Sequence, residues 1–159
     1  MSEIKTELLN QRRFVGRVEW LGLATERRGG MSTPDSVKVI TDQGIEGEHH
    51  VRRPRRQITV IQQEYLPVIA ALMGVDSISP TQLRRNIVVS GINLASLMTR
   101  DFRIGSVTLR GTGDCAPCLL MESTVGVGGY EAMISHGGIT TVVIEGGDIA
   151  IGDAVESIR

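Results

Sequence analysis

Residues 139–159 read ITTVVIEGGDIAIGDAVESIR. Branched apolar residues alternate with smaller ones, and Gly146, Gly147 and Asp148 interrupt them, which predicts two strands around a tight turn. The same texture recurs toward the N-terminus. Residues 14–25 (FVGRVEWLGLAT), 37–41 (VKVIT), 57–61 (QITVI) and 86–91 (NIVVSG) are strand candidates separated by glycine, proline and serine. Residues 102–113 (FRIGSVTLRGTG) carry Ile104, Val107 and Leu109 and predict one further strand, near the usual length. Helical spacing is confined to short stretches. Leu66, Ile69, Ala70 and Met73 mark one amphipathic helix ending near Gly74, and Ser79 and Pro80 suit the cap and first position of a second. GVGGYEAMISHGG holds another short helix bounded by glycines. Strands then outnumber helices by roughly seven to three. The predicted fold is mainly β, a curled antiparallel sheet or barrel with a few short helices packed outside.

Composition narrows the function. A chain of 159 residues suits one domain with a substantial core. The first 13 residues are polar and charged and are expected to form a flexible tail, leaving 14–159 as the folded domain. Seventeen lysines and arginines oppose 18 acidic residues, so the net charge of -1 offers no global attraction to nucleic acid or to anionic membranes. Aromatic residues at 3% also supply too few platforms for stacking single-stranded bases. No apolar run approaches the roughly 20 residues of a membrane span, and the start lacks a signal-peptide core. A cytoplasmic location is expected. In a reducing compartment two close cysteines are a metal, catalytic or redox pair before they are a structural disulfide.

Those cysteines, Cys115 and Cys118 in GDCAPCLLMES, are the only two in the chain. Their spacing serves redox dithiols and half of many zinc sites, although neither a βαβ context nor a zinc-finger pattern accompanies it. His49, His50 and His136 are the nitrogen donors on offer for zinc. The alternative is a pair of small buried residues at a strand end. The loop GIEGEHH, residues 44–50, gathers two acids and two histidines that suit a base, a ligand or a hydrogen-bond donor. VRRPRR and LRRN bring Arg52, Arg55, Arg56, Arg84 and Arg85, whose guanidinium forks match phosphate and carboxylate. An anionic small molecule is the expected partner.

Taken in order, GIEGEHH, RRQITVIQQE, LRRNIVVSGINL, FRIGSVTLRGTGDCAPC and GGITTVVIEGGDIAIGDAV resemble the MOSC domain, the C-terminal domain of molybdenum-cofactor sulfurases, over about residues 15–158. The resemblance implies a MOSC-type β-barrel, with the chain a stand-alone single-domain member. It implies the molybdenum cofactor, a pterin bearing a phosphate, with Cys118 as the metal-associated cysteine and Cys115 as a resolving thiol or a passive neighbour. His50, Arg55, Arg56, Arg85 and Asn86 are the implied cofactor-binding residues. Pyridoxal phosphate enters by family association only. One departure is Glu48, where the family often has aspartate.

Three functions follow. The first is a cofactor-binding protein that reduces N-hydroxylated compounds with electrons from a partner. The second is a sulfur carrier that holds a persulfide on Cys118, charged by a cysteine desulfurase. The third is a non-catalytic zinc module built on the cysteines and a histidine pair.

Overall fold

The computed structural model describes residues 2–11, 13–49 and 51–158. Seven strands close into a barrel: β1 (Val15–Leu21), β4 (Ile58–Gln62), β5 (Ile87–Ser90), β6 (Asp101–Ile104), β7 (Val107–Asp114), β8 (Ile139–Glu145) and β10 (Ala154–Ser157). Around the barrel their order is β1-β10-β6-β7-β8-β4-β5. Beside it β2 (Ser36–Ile40) lies between β3 (Gly44–Ile45) and β9 (Gly147–Ala150) in a small sheet. The mainly β expectation holds, with short helices outside the barrel.

The barrel is not wholly antiparallel. β4 and β5 run parallel, with Val60 opposite Ile87. Parallel neighbours require a crossover, and here it carries α2 (Tyr65–Met73) and α3 (Pro80–Leu83). α2 ends where Gly74 turns left-handed (φ 68°) and its N–H caps Ala70 O and Ala71 O. Pro67 stands in the first turn, where its missing N–H costs no helix bond. In α3 the Ser79 and Gln82 side chains cap reciprocally.

These helices explain why β4 is buried at every position. Alternate residues face alternate sides of a strand. Val60, Ile87 and Val89 join Phe102, Ile104, Leu109 and Val155 inside the barrel. Ile61 and Val88 face the other way, into a second core with Ile69 of α2, Leu83 of α3, Met121 of α4 (Leu120–Thr124) and Met133 of α5 (Gly129–Met133). A sheet buried on both faces reads as continuous apolar runs, as QITVI and NIVV do.

Two segments depart from the sequence expectation. Residues 102–113 form a hairpin of β6 and β7, with Ile104 opposite Val107. Gly105 makes the turn at φ 57°, in a spot where a Cβ would lie 2.6 Å from Asp153 Oδ2. Residues 139–159 form three strands, and β9 leaves the barrel to pair with β2 instead of folding back on β8. Gly146 is needed because a Cβ there would overlap Val39 O of β2. At the N-terminus α1 (Glu3–Asn10) forms with Ser2 Oγ accepting from Lys5 N, and none of its residues is buried. Among the described residues no helix is long and apolar enough to cross a membrane.

Strand register sets the position of the site. Leu21 pairs with Ile87, Ile87 with Val60, Val60 with Ile139, and Ile139 with Asp114. The exits of β1 and β7 and the entries of β5 and β8 therefore meet at one rim. Segments 22–35, 84–86 and 115–119 all leave or enter there.

Candidate functional site

A pocket of about 490 Å³ opens at this rim. Its walls carry Arg27, Arg28, Arg53, Arg56, Arg84 and Arg85, together with Glu48, His49 and Cys118. Six guanidiniums against one carboxylate give it a strongly positive lining. Among the described residues none of the six pairs with a carboxylate; the ion pairs of other arginines lie elsewhere, as Arg13 with Glu156 and Arg110 with Asp101.

Arg85 is the deepest, 3% exposed. Its Nε donates to Gly137 O at 2.8 Å, Nη1 to Leu83 O and Nη2 to Cys115 O, both at 3.2 Å. Burial pulls its pKa below the ordinary guanidinium value; the neighbouring Cys115 thiol acts against that fall, and Arg56 adds to it. Arginine stays charged regardless. Arg85 thus anchors the start of the CAPC segment, which is further tied by Cys115 N donating to Gly138 O at 2.9 Å. Gly137 lacks a side chain because a Cβ would overlap Cys115 O and lie 3.0 Å from Arg85 Nη2.

Arg56 lines the pocket with a buried Nε that has no hydrogen-bond partner. A buried donor left unmade costs about 1–3 kcal/mol, so Arg56 Nε is an unmet donor at the edge of the pocket. Arg84 holds a left-handed backbone conformation (φ 56°), unusual for a side chain of its size. Its Nη1 and Nη2 donate to Gly29 O at 2.6 Å and Arg27 O at 3.2 Å, clasping the loop that presents Arg27 and Arg28. Arg55 does not join the pocket: it is exposed and its Nη2 donates to Thr112 O at 2.7 Å, on β7. Arg52 also lies apart, in a shallow depression with Asp42 and Gln57.

The two cysteines are separated by environment. Both are free thiols; Cys115 is buried and Cys118 is exposed in the pocket wall. This split follows from the strand end, where Cys115 still points into the packed interior and Cys118 has passed beyond it, just before α4. A thiolate there is a soft metal ligand and a nucleophile.

Asn86 and Glu48 form a buried polar network behind the pocket. Asn86 Oδ1 accepts from Thr59 N and Thr59 Oγ1, while Nδ2 donates to Gly22 O and Glu48 Oε2. With each of its side-chain bonds made inside the fold, Asn86 fixes the loops rather than facing the pocket. Glu48 Oε2 also accepts from Ala24 N at 2.7 Å, and Oε1 lies 2.7 Å from His49 Nδ1. The longer carboxylate in place of aspartate therefore does secure the loop. His49 N in turn donates to Ala24 O, so residues 24 and 48–49 are laced in both directions.

Of the residues expected from sequence, Cys118, Arg56, Arg84 and Arg85 meet at the pocket. Arg55 and Arg52 turn elsewhere, and Cys115 and Asn86 lie behind it. His50 lies outside the described residues. Arg53, part of VRRPRR, lines the pocket too, whereas sequence reasoning missed Arg27 and Arg28; the arginine pair in ERRGG, followed by two glycines after the first strand, was the available signal. Among the described residues, which leave out His50, no group of three metal-binding side chains comes together. His136 sits instead with its Nδ1 3.1 Å from Ala132 O and its ring edge against Tyr65.

The crystal structure of the YUAD protein from Bacillus subtilis matches with TM-score 0.80 at 24% identity, covering 93% of this chain and 99% of that one. YiiM from Escherichia coli matches with TM-score 0.68 at 18% identity (93% and 70% covered), and YiiM from Geobacillus stearothermophilus with 0.70 at 14% (91% and 75%). At these identities the likeness is one of fold. No curated protein matches the chain in sequence. The MOSC domain family matches residues 46–156. That span takes in Glu48, the Arg85 anchor and the cysteine segment and leaves out α1, the first three strands with the loop of Arg27 and Arg28, and the last three residues; it covers well over half of the chain, so the protein belongs to the MOSC domain family.

Proposed function

We propose that this protein binds the molybdenum cofactor in the arginine pocket, with the Cys118 thiolate as metal ligand and N-hydroxylated compounds as substrates for reduction by electrons from a partner protein. One observation carries the reading: the single exposed cysteine stands in the wall of a pocket lined by six guanidiniums. The residues fit the group. A phosphate is an oxyanion that arginine forks grip by charge-assisted hydrogen bonds, and the buried Arg56 Nε has no other partner among the described residues. Arg56 and Arg85 are the inner phosphate contacts, and Arg27, Arg28 and Arg53 are the outer ones. Arg85 also orients the cysteine segment through Cys115 O. When bound, the cofactor would supply the redox centre for the reduction. Two free thiols suit a reducing cytoplasm.

Exposure of Cys118 also supports a second reading, sulfur carriage. The thiolate would attack the terminal sulfur of a desulfurase persulfide, forming a new S–S bond as the old one breaks and the desulfurase thiolate departs. Such a carrier needs only an accessible thiol.

Elemental analysis of protein purified anaerobically from a host that makes the cofactor tests the first reading. Near-stoichiometric molybdenum is expected, lost in Cys118→Ala and largely kept in Cys115→Ala. Equal retention in both variants would remove Cys118 from the metal. Absence of molybdenum, with sulfane sulfur on the Cys118 peptide after incubation with a desulfurase, would establish the carrier instead.

A further inference from the structure

We propose that His49 is the proton donor to substrate in this pocket and that Glu48 positions it; the proposal rests on the reductive reading above. The Glu48 carboxylate is 2% exposed and immobilised through Oε2 by Ala24 N–H at 2.7 Å and Asn86 Nδ2 at 3.1 Å. Its Oε1 lies 2.7 Å from His49 Nδ1, and Ala24 O lies 3.0 Å from the same nitrogen. Both neighbours are acceptors, so Nδ1 carries a proton. The neutral ring then has Nε2 as its proton-accepting nitrogen, and the imidazolium presents an Nε2–H. A carboxylate that is itself held by two donors, behind an imidazole in a pocket wall, is the arrangement that fixes a histidine's tautomer and aim for proton transfer.

The pocket needs such a group. Among the described residues, the charged side chains lining it besides Glu48 are the guanidiniums of Arg27, Arg28, Arg53, Arg56, Arg84 and Arg85, which do not release protons at ordinary pH. Reduction of a hydroxylamine, R–NH–OH + 2e⁻ + 2H⁺ → R–NH₂ + H₂O, breaks the N–O bond, and hydroxide is a poor leaving group. His49 delivers one proton from Nε2 to the departing oxygen, which leaves as water. The nitrogen takes the electron pair and the second proton, from solvent. The two electrons come from two equivalents of a reduced one-electron carrier protein, each of which is oxidised by one electron, and His49 regains its proton from solvent.

Two measurements test this. In the ligand-free protein, ¹H–¹⁵N correlation spectra of histidine-labelled material, assigned by the signals missing from His49→Gln, are expected to show the neutral His49 ring protonated at Nδ1. Glu48→Gln is expected to move the Nδ1–H resonance upfield. Protonation at Nε2 in the wild-type protein would overturn the proposal without reference to any activity. In protein loaded in a cofactor-producing host, with phenylhydroxylamine as probe and reduced methyl viologen as electron source, His49→Gln is expected to keep its molybdenum and KM while kcat for aniline formation falls about 10²–10⁴-fold. Wild-type kcat in His49→Gln would overturn the role of His49 alone. A wild-type protein that retains molybdenum but forms no aniline would overturn the reductive reading, and with it this one.

Discussion

Replacing Asn86 by alanine tests whether the network behind the pocket holds the rim together. Asn86 is 2% exposed, and its truncation strips a partner from three buried groups at once: the Thr59 N–H, the Gly22 carbonyl and the Glu48 carboxylate. Each buried polar group left unpaired costs about 1–3 kcal/mol, and Glu48 and Thr59 retain other contacts, so a total loss of roughly 3–6 kcal/mol is expected. Against a typical stability of about 5–15 kcal/mol, that is a large fraction. Urea unfolding followed by Trp20 fluorescence reads it as a fall in midpoint at constant slope. Asn86→Asp is the sharper control. It keeps the shape and the acceptor toward Thr59, but turns a carboxylate oxygen toward Glu48 Oε2, where the amide had donated at 3.1 Å. It is expected to destabilise at neutral pH as well. A loss below about 1 kcal/mol in Asn86→Ala, or a wild-type midpoint for Asn86→Asp at pH 7, would refute the hydrogen-bond accounting.

Three other outcomes follow from the same geometry. Ellman's reagent should modify one thiol in the native protein, Cys118, and the second only after unfolding, because Cys115 is fully buried; two fast thiols would contradict the burial. Arg84→Ala removes both bonds to the 27–29 carbonyls, and native trypsin cleavage after Arg27 or Arg28 is expected to quicken about tenfold, the effect of roughly 1.4 kcal/mol on local opening. Unchanged cleavage would show that the loop does not depend on Arg84. Gly137→Ala puts a methyl against Cys115 O and Arg85 Nη2 and should cost about 1–3 kcal/mol while making Cys115 reactive; a wild-type melting temperature would show that the segment yields.

How much of this was legible beforehand varies by element. QITVI and NIVVSG announced strands through branched residues, and their unbroken apolar character foreshadowed two-sided burial. Local caps were equally readable: Ser79-Pro80 and Gly74 sit where the helix boundaries fall. The β6–β7 turn was missed although the apolar positions shift from even (Phe102, Ile104) to odd (Val107, Leu109) across Gly105-Ser106, a phase break that a single strand does not allow. The β9 strand was misplaced because a glycine that permits close approach of another strand looks, in one dimension, like a glycine that makes a turn. Helix α1 was missed because its apolar residues, Ile4, Leu8 and Leu9, span less than two turns, too short a stripe to stand out.

Sequence alone determined the mainly β class, the family through its ordered motifs, and the residue types of the site, since these depend on local propensity and on chemistry carried by single side chains. Tertiary structure decided which residues share the pocket. Arg55 and Arg56 are adjacent in sequence, yet one binds the β7 backbone and the other lines the cavity. Cys115 and Cys118 are three positions apart, yet one is enclosed and the other open. Such choices depend on barrel register, which brings Leu21, Ile87, Val60, Ile139 and Asp114 to one level. Register is fixed by pairing between distant strands, and no local stretch of sequence contains both partners.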